Sequence, residues 1–350
     1  MTRQANTDFI TSSLASRTAL ACMAVAFLSS CVETPPAPPP EPPISAEAPK
    51  RRPDRPVADQ AALREARAQK ARATNVAASV AADSPASRNM RDYLKGVEET
   101  LLSRGLLRTD DGSDIQLTPE RLTDDFVLIA LYDEYTRDGE RLISRATPAP
   151  LRRWAQPVRL RIEFGDSVSS AQRARDRSDI SSYAARLQAA TGHSVSLGAD
   201  TGNVTVLILN EDERRAIGPR LAALVPGIPD SDVAALSNLA PQNYCTVFAY
   251  SRGDMTTYDQ AVVLIRSETP PRLRRSCIHE EVAQGLGLAN DSRLVRPSLF
   301  NDDEEFAYLT HHDELLLKIL YDPRLRPGMT EAEARPIVLE IARKLLATST

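Results

Sequence analysis

Residues 279–291 read HEEVAQGLGLAND, and the way this stretch folds decides the architecture around it. On a helix running from about Arg272 to Leu286, each residue advances about 100° around the axis. Leu273, Cys277, Glu280 and Gln284 then share one stripe, with Glu281 beside it. Ile278, Val282 and Leu286 form the opposite stripe, which is expected to face the core. His279 lies about 100° from Glu280 and points away from the acidic and amide groups. Gly285 and Gly287 end the helix, as glycine does best at a helix C-terminus, and Asn290 and Asp291 follow. Carboxylate and amide oxygens gathered on one face suit a hard divalent ion (Ca²⁺, Mg²⁺ or Mn²⁺) better than Zn²⁺. The plain alternative is a polar helix face turned to water.

A zinc peptidase places two neutral imidazoles four residues apart, with a carboxylate between them to polarise a bound water. Here Glu280 and Gln284 stand at those positions, and Glu281 keeps the place of the general base. The other histidines are His193, His311 and His312, and no two histidines stand four apart. A three-histidine zinc centre on one helix and turn is excluded. Written from Glu280, E-E-x-x-Q-x-x-G-x-x-N-D resembles the HExxHxxGxxH helix and turn of the metzincin metallopeptidases. Ser298-Leu299-Phe300-Asn301 resembles the turn beneath the metal in that clan, with Phe300 in place of methionine. Leu309-Thr310, then Asp313, Leu316, Ile319, Leu320 and Tyr321, are similar to its closing helix, and Thr310 with Asp313 is also a local capping arrangement. The segments at 130–140 (ALYDEYTRDGE), 151–158 (LRRWAQPV), 279–291, 300–310 (FNDDEEFAYLT) and 315–330 (LLLKILYDPRLRPGMT) resemble, more closely, a family of proteobacterial lipoproteins carrying a domain of unknown function.

The metzincin resemblance implies an α+β fold with a mixed zincin-like sheet and a site helix, preceded by a helical segment and a proline-rich linker. Expected strands are 157–164, 194–197, 204–209, 244–250 and 260–266, and expected helices are 170–191, 212–224 and 230–239. With the site helix this gives the order β-α-β-β-β-β-α, with a helical insertion. Two helices are expected upstream. One carries Tyr93, Leu94, Val97, Leu101 and Leu102; the other is opened by Thr118-Pro119 and has apolar residues from Phe126 to Tyr132. At the C-terminus, Thr330 with Glu333 offers a capping box. Ile337, Val338, Ile341 and Leu345 give a packing face, and Pro336 is expected to interrupt or restart that last helix.

The first residues read as an export signal, with Arg3 and Arg17, an apolar run from Thr18 to Leu28, and Leu28-Ser29-Ser30-Cys31. That ending resembles a bacterial lipobox, which implies cleavage before Cys31 and lipidation of its thiol; an ordinary signal peptide with an incidental cysteine is the alternative. Val32 rather than Asp after the cysteine resembles the outer-membrane sorting pattern of Gram-negative lipoproteins, so a periplasm-facing, membrane-anchored envelope protein is expected. Removing Cys22 and acylating Cys31 leaves Cys245 and Cys277, as a disulfide permitted by export or as two buried thiols. Boundaries are expected at 1–31 (signal), 32–58 (proline-rich spacer), 59–87 (Ala/Arg-rich stem, helical or disordered), 88–150 (helical part) and 151–350 (metzincin-like domain). Net charge moves only from −4 to −5 on loss of the signal, so nothing in the balance asks for nucleic acid. Lys50, Arg51 and Arg52 begin a basic bias in the stem that suits either membrane phosphates or solvent.

Three functions fit these residues. One is a non-catalytic module binding a peptide, protein or cell-wall component in a cleft formed by Glu280, Gln284 and Asn290 or Asp291. Another is a metallopeptidase with a non-standard divalent site in which Glu281 is the base. The third is an assembly partner whose acidic helix face is merely solvated.

Overall fold

The structure is a computed structural model and describes residues 57–138, 141–198 and 201–347. The expected signal segment, the expected lipidation site Cys31 and almost all of the proline-rich stretch lie outside the described residues. In chain order the elements are α1 (Val57–Ala81), α2 (Pro85–Ser103), α3 (Pro119–Ala130), β1 (Tyr132–Asp138), β2 (Arg141–Pro148), β3 (Arg153–Trp154), β4 (Val158–Phe164), α4 (Ser170–Thr191), β5 (Val195–Leu197), β6 (Val204–Leu209), α5 (Glu211–Arg215), α6 (Gly218–Leu224), α7 (Asp230–Ser237), β7 (Cys245–Ser251), β8 (Thr257–Arg266), α8 (Pro271–Gln284), α9 (His311–Leu320) and α10 (Glu331–Ala347).

The central sheet runs β3-β8-β6-β4-β5, with β7 paired to β8. All its pairings are parallel except β7 with β8, which is antiparallel with Cys245 opposite Ile265 and Val247 opposite Val263. Every residue of β6, VTVLIL, is buried, as a parallel strand covered on both faces must be. Val204, Val206 and Ile208 join the main core with Ile180 and Leu187 of α4 and Ile278 and Val282 of α8. Leu207 and Leu209 point the other way, to Ile217, Leu221 and Leu236 of the segment between β6 and β7. Two helical layers therefore enclose one mixed sheet, an α+β arrangement in the expected order of elements.

The stem takes the helical branch of its expectation. Leu63, Val76 and Val80 of α1 stay exposed; the helix is tied down where Asn75 Oδ1 accepts hydrogen bonds from the backbone and hydroxyl of Ser170, each 2.9 Å. On α2, Met90, Leu94 and Leu101 are buried, whereas Tyr93 and Leu102 are exposed, so the packing face is rotated from the expected one.

Three expectations are corrected. The helix expected over 212–224 is two short ones, α5 and α6, broken before Gly218-Pro219, where proline suits a helix start better than its interior. Residues 132–138 and 141–148, assigned to a helical region, pair as the antiparallel strands β1 and β2. Pro336 does not interrupt α10, which runs through it. A helical proline costs about 3 kcal/mol, but the buried Ala334, Val338, Ile341 and Ala342 hold α10 against the core, and each large apolar side chain buried returns about 1.5–3 kcal/mol.

Candidate functional site

The site helix α8 opens on Pro271 at its first turn, where the missing N–H costs nothing. Its core stripe falls where the 100° step places it: Ile278, Val282 and Leu286 are in the main core. Cys277 bonds Cys245 across a Cα–Cα distance of 5.8 Å, so the helix is stapled to the first residue of β7 and the paired-cysteine expectation holds. At the C-terminal end, Trp154 Nε1 donates to the Gly285 carbonyl at 2.7 Å and the Tyr321 hydroxyl to the Leu286 carbonyl at 3.0 Å. These two donors satisfy carbonyls that a helix end leaves without partners. Gly287 has φ +126°, and a Cβ there would stand 2.3 Å from the Arg152 carbonyl oxygen. Only glycine makes this turn.

Beyond the turn the chain divides its polar residues. Asn290 faces away from the cleft: its side-chain amide donates to the Leu128 carbonyl at 2.8 Å and its backbone N–H to the Ile129 carbonyl at 3.1 Å, finishing α3. Asp291 faces inward and accepts from Gln284 Nε2 at 2.8 Å. Of the two residues offered by the sequence, Asp291 alone lines the cleft. The turn at Ser298 is locked to α9. Ser298 Oγ donates to Asp313 Oδ1 at 2.6 Å, while Leu299 and Thr310 N–H groups donate to Asp313 Oδ2, each at 2.9 Å. Phe300 is wholly buried there.

Glu280, Glu281, Gln284 and Asp291 open onto a cleft of about 770 Å³. One wall is the segment from Gln242 to Ala249, most of it strand β7. That wall is fixed from behind by Arg266, fully buried, whose guanidinium pairs with Glu211 and donates to the carbonyls of Leu239 and Asn243 at 2.7 and 3.1 Å. The opposite side brings residues that the sequence reading left out: Glu134 and Tyr135 from β1, and Asp302 and Glu304 from the loop after the Ser298 turn. Asp138-Gly139 between Tyr/Thr-rich and Ile/Leu-bearing runs is a hairpin signal that would have found β1. Glu304 carries a left-handed backbone, φ +57°, and its carbonyl accepts from Leu107 N–H at 2.9 Å.

The electrostatics of the cleft are one-sided. Burial pushes the carboxyl of Glu280 well above its ordinary range, and Asp291 and Glu281 push it further. Burial does the same to Glu281, reinforced by Asp291 and Glu134. Asp291 is raised by burial and by Glu134 against the opposing Gln284 hydrogen bond. Glu134 and Glu304 are both pushed up to about 7, chiefly by burial and secondarily by Asp302, with a Tyr135 hydrogen bond opposing the shift at Glu134. Arg152 reaches the cleft already paired with Asp133. Glu281 is 5% exposed, and its Oε2 has no hydrogen-bond partner.

His279 is on the far side of the helix, stacked on Tyr183 with ring centroids 4.0 Å apart, and its Nδ1 accepts from Leu309 N–H at 3.1 Å. Burial, then the charges of Arg186 and Arg275, lower its pKa to about 3. It serves packing, as its position 100° off the acidic stripe implies. A zinc centre of the peptidase type does not fit these residues. Among the described residues, one trio offers ligand atoms within 4.8 Å of one another, Cys245, Glu280 and Glu281, and the Cys245 sulfur is already spent in the disulfide.

No curated protein and no solved structure matches the chain. A family described as protein of unknown function (DUF2927) matches residues 119–340, a span that runs from α3 through the sheet and site helix into α10. The chain belongs to the DUF2927 family.

Proposed function

We propose that this is a lipid-anchored cell-envelope protein whose metzincin-like domain holds an extended polypeptide segment in the cleft beside α8 without cleaving it. The observation that carries this reading is the pairing of an altered helix face with an open strand edge. Glu280 and Gln284 replace the imidazoles at the two ligand positions, and Gln284 turns its amide to Asp291. Next to them β7 pairs with β8 alone among the described strands. Its other edge, from Cys245 to Ala249, offers main-chain donors and acceptors to an added strand along the cleft wall. A cell-wall component is the alternative ligand for the same cleft.

A second reading, a metallopeptidase with a non-standard site, draws on the proximity of the Glu280 and Glu281 oxygens and the unpartnered Glu281 oxygen. In it Glu280, Gln284 and Asp291 hold a divalent ion and Glu281 is the base. Metal analysis of the purified chain, combined with a peptide-hydrolysis assay, separates the two. The binding reading expects less than a tenth of an equivalent of any divalent metal and no hydrolysis above buffer. One equivalent of metal that is lost in Glu280→Ala, together with cleavage abolished by Glu281→Gln, would establish the peptidase instead.

A further inference from the structure

The cleft carries more carboxyl groups than a neutral peptide backbone needs. Carboxylates converge on it from four separate segments: Glu134 on β1, Glu280 and Glu281 on α8, Asp291 after the helix, and Glu304 in the following loop. Glu281 lines this space, is more than nine-tenths buried, and has one carboxyl oxygen without a hydrogen-bond partner. Leaving a buried acceptor unmatched is costly unless a ligand completes it. Of the two arginines that line the cleft, Arg152 is paired with Asp133, and Arg293 stands exposed beside Asp302 and Asp303.

The spread of these carboxylates tells against a bare metal ion as the intended partner. An oxygen-ligated divalent ion draws its donors to within about 2.0–2.6 Å of one point, whereas among the described residues the one trio of ligand atoms within 4.8 Å of one another is Cys245, Glu280 and Glu281, and its sulfur is held in the disulfide. A long cationic side chain, which carries charge into a cleft and addresses several acids in turn, matches the layout better. The sheet supplies the direction. Cys245, Val247 and Ala249 face the main core on the α8 side, while Phe248 and Tyr250 pack on the other face. In a strand added to β7, alternate side chains take the same two directions, so every second one points toward α8.

Resting on the polypeptide-binding reading above, we infer that the segment held along β7 is basic, with a lysine or arginine side chain entering from the α8 face to pair with Glu281, Glu280 and Asp291.

The test uses the full chain and fluorescein-labelled, end-capped decapeptide pools with randomised flanks. The central position is fixed as Arg, Lys, citrulline, norleucine or Glu, and anisotropy is read at pH 7.5 and about 0.1 M salt. The Arg and Lys pools are expected to bind at least about tenfold tighter than the citrulline and norleucine pools, the range of a charge-assisted hydrogen bond. The Glu281→Gln/Asp291→Asn double variant should erase that preference. Equal binding of the Arg and citrulline pools to the unaltered chain overturns the basic-ligand inference and leaves the polypeptide cleft standing. Failure of every pool to bind, with no competition between pools, overturns both. Stoichiometric binding of Ca²⁺ or Mn²⁺ alone, lost in the double variant, assigns the charge to a metal and also overturns the inference. Because the Arg-to-citrulline comparison is made on the unaltered chain, the outcome does not depend on the variant folding.

Discussion

Glu281 shows what the cleft costs the fold. Its carboxyl is buried among Asp291, Glu134 and Glu280 with one oxygen unmatched, so ionising it in the folded state is unfavourable. For a carboxyl raised in this way, folded and unfolded chains are both protonated at low pH and the penalty is absent. The penalty appears as pH rises past the unfolded value and is fully felt only above the folded one. Glu281→Gln should therefore raise the thermal midpoint at pH 8, where relieving about 1 kcal/mol moves a chain of this size by roughly 2 °C or more, and should leave it nearly unchanged at pH 4. Differential scanning fluorimetry at both pH values reads this, and an equal or lower midpoint at pH 8 contradicts the electrostatic account. The three helical site residues were legible from the 100° step alone. Asn290 and Asp291 were not separable, because after Gly287 the chain has no period to assign faces. Glu134 and Glu304 were invisible because they reach the cleft from distant segments through tertiary packing.

At the scale of elements, α8 and β7 form one unit through Cys245–Cys277, a bridge closing a loop with sequence separation 32. Loop-closure entropy for that length is worth about 3–4 kcal/mol. The double substitution Cys245→Ser/Cys277→Ser should lower stability by roughly that amount in urea unfolding, and should loosen the β7 wall of the cleft more than the α3–α10 packing. A change below about 0.5 kcal/mol would mean that the helix is held against the sheet by packing alone. Helix and strand existence followed from periodicity for α4, β6 and α8, whose bounds lie within two residues of expectation. Periodicity failed at 132–148, where Tyr132 continued the apolar pattern of α3 while Asp138-Gly139 signalled a turn, and the turn chemistry was the better guide. It failed differently at Pro336, where a local rule was overridden by four buried neighbours.

For the whole molecule, two helical layers on one mixed sheet leave the antiparallel strand β7 at an edge, and the site helix, the β1 hairpin and the loop through Glu304 close around that edge. The order of the strands β4 to β8 and of the site helix after them could be read from the sequence, because β6 is apolar throughout and α8 keeps its core stripe at the right spacing. The acidity of the cleft could not, since net charge is only −4 over the whole chain and the concentration of carboxylates exists only in three dimensions. An edge strand beside unmatched acids is the feature on which the proposed binding role depends. Hydrogen exchange with mass spectrometry, with and without the arginine-centred peptide pool, tests it most directly. The account predicts slowed exchange of the amides at 245–249, with secondary protection at 279–291. Saturation of the chain by the pool with exchange unchanged in both segments, or with protection confined to α1 and α2, would contradict it.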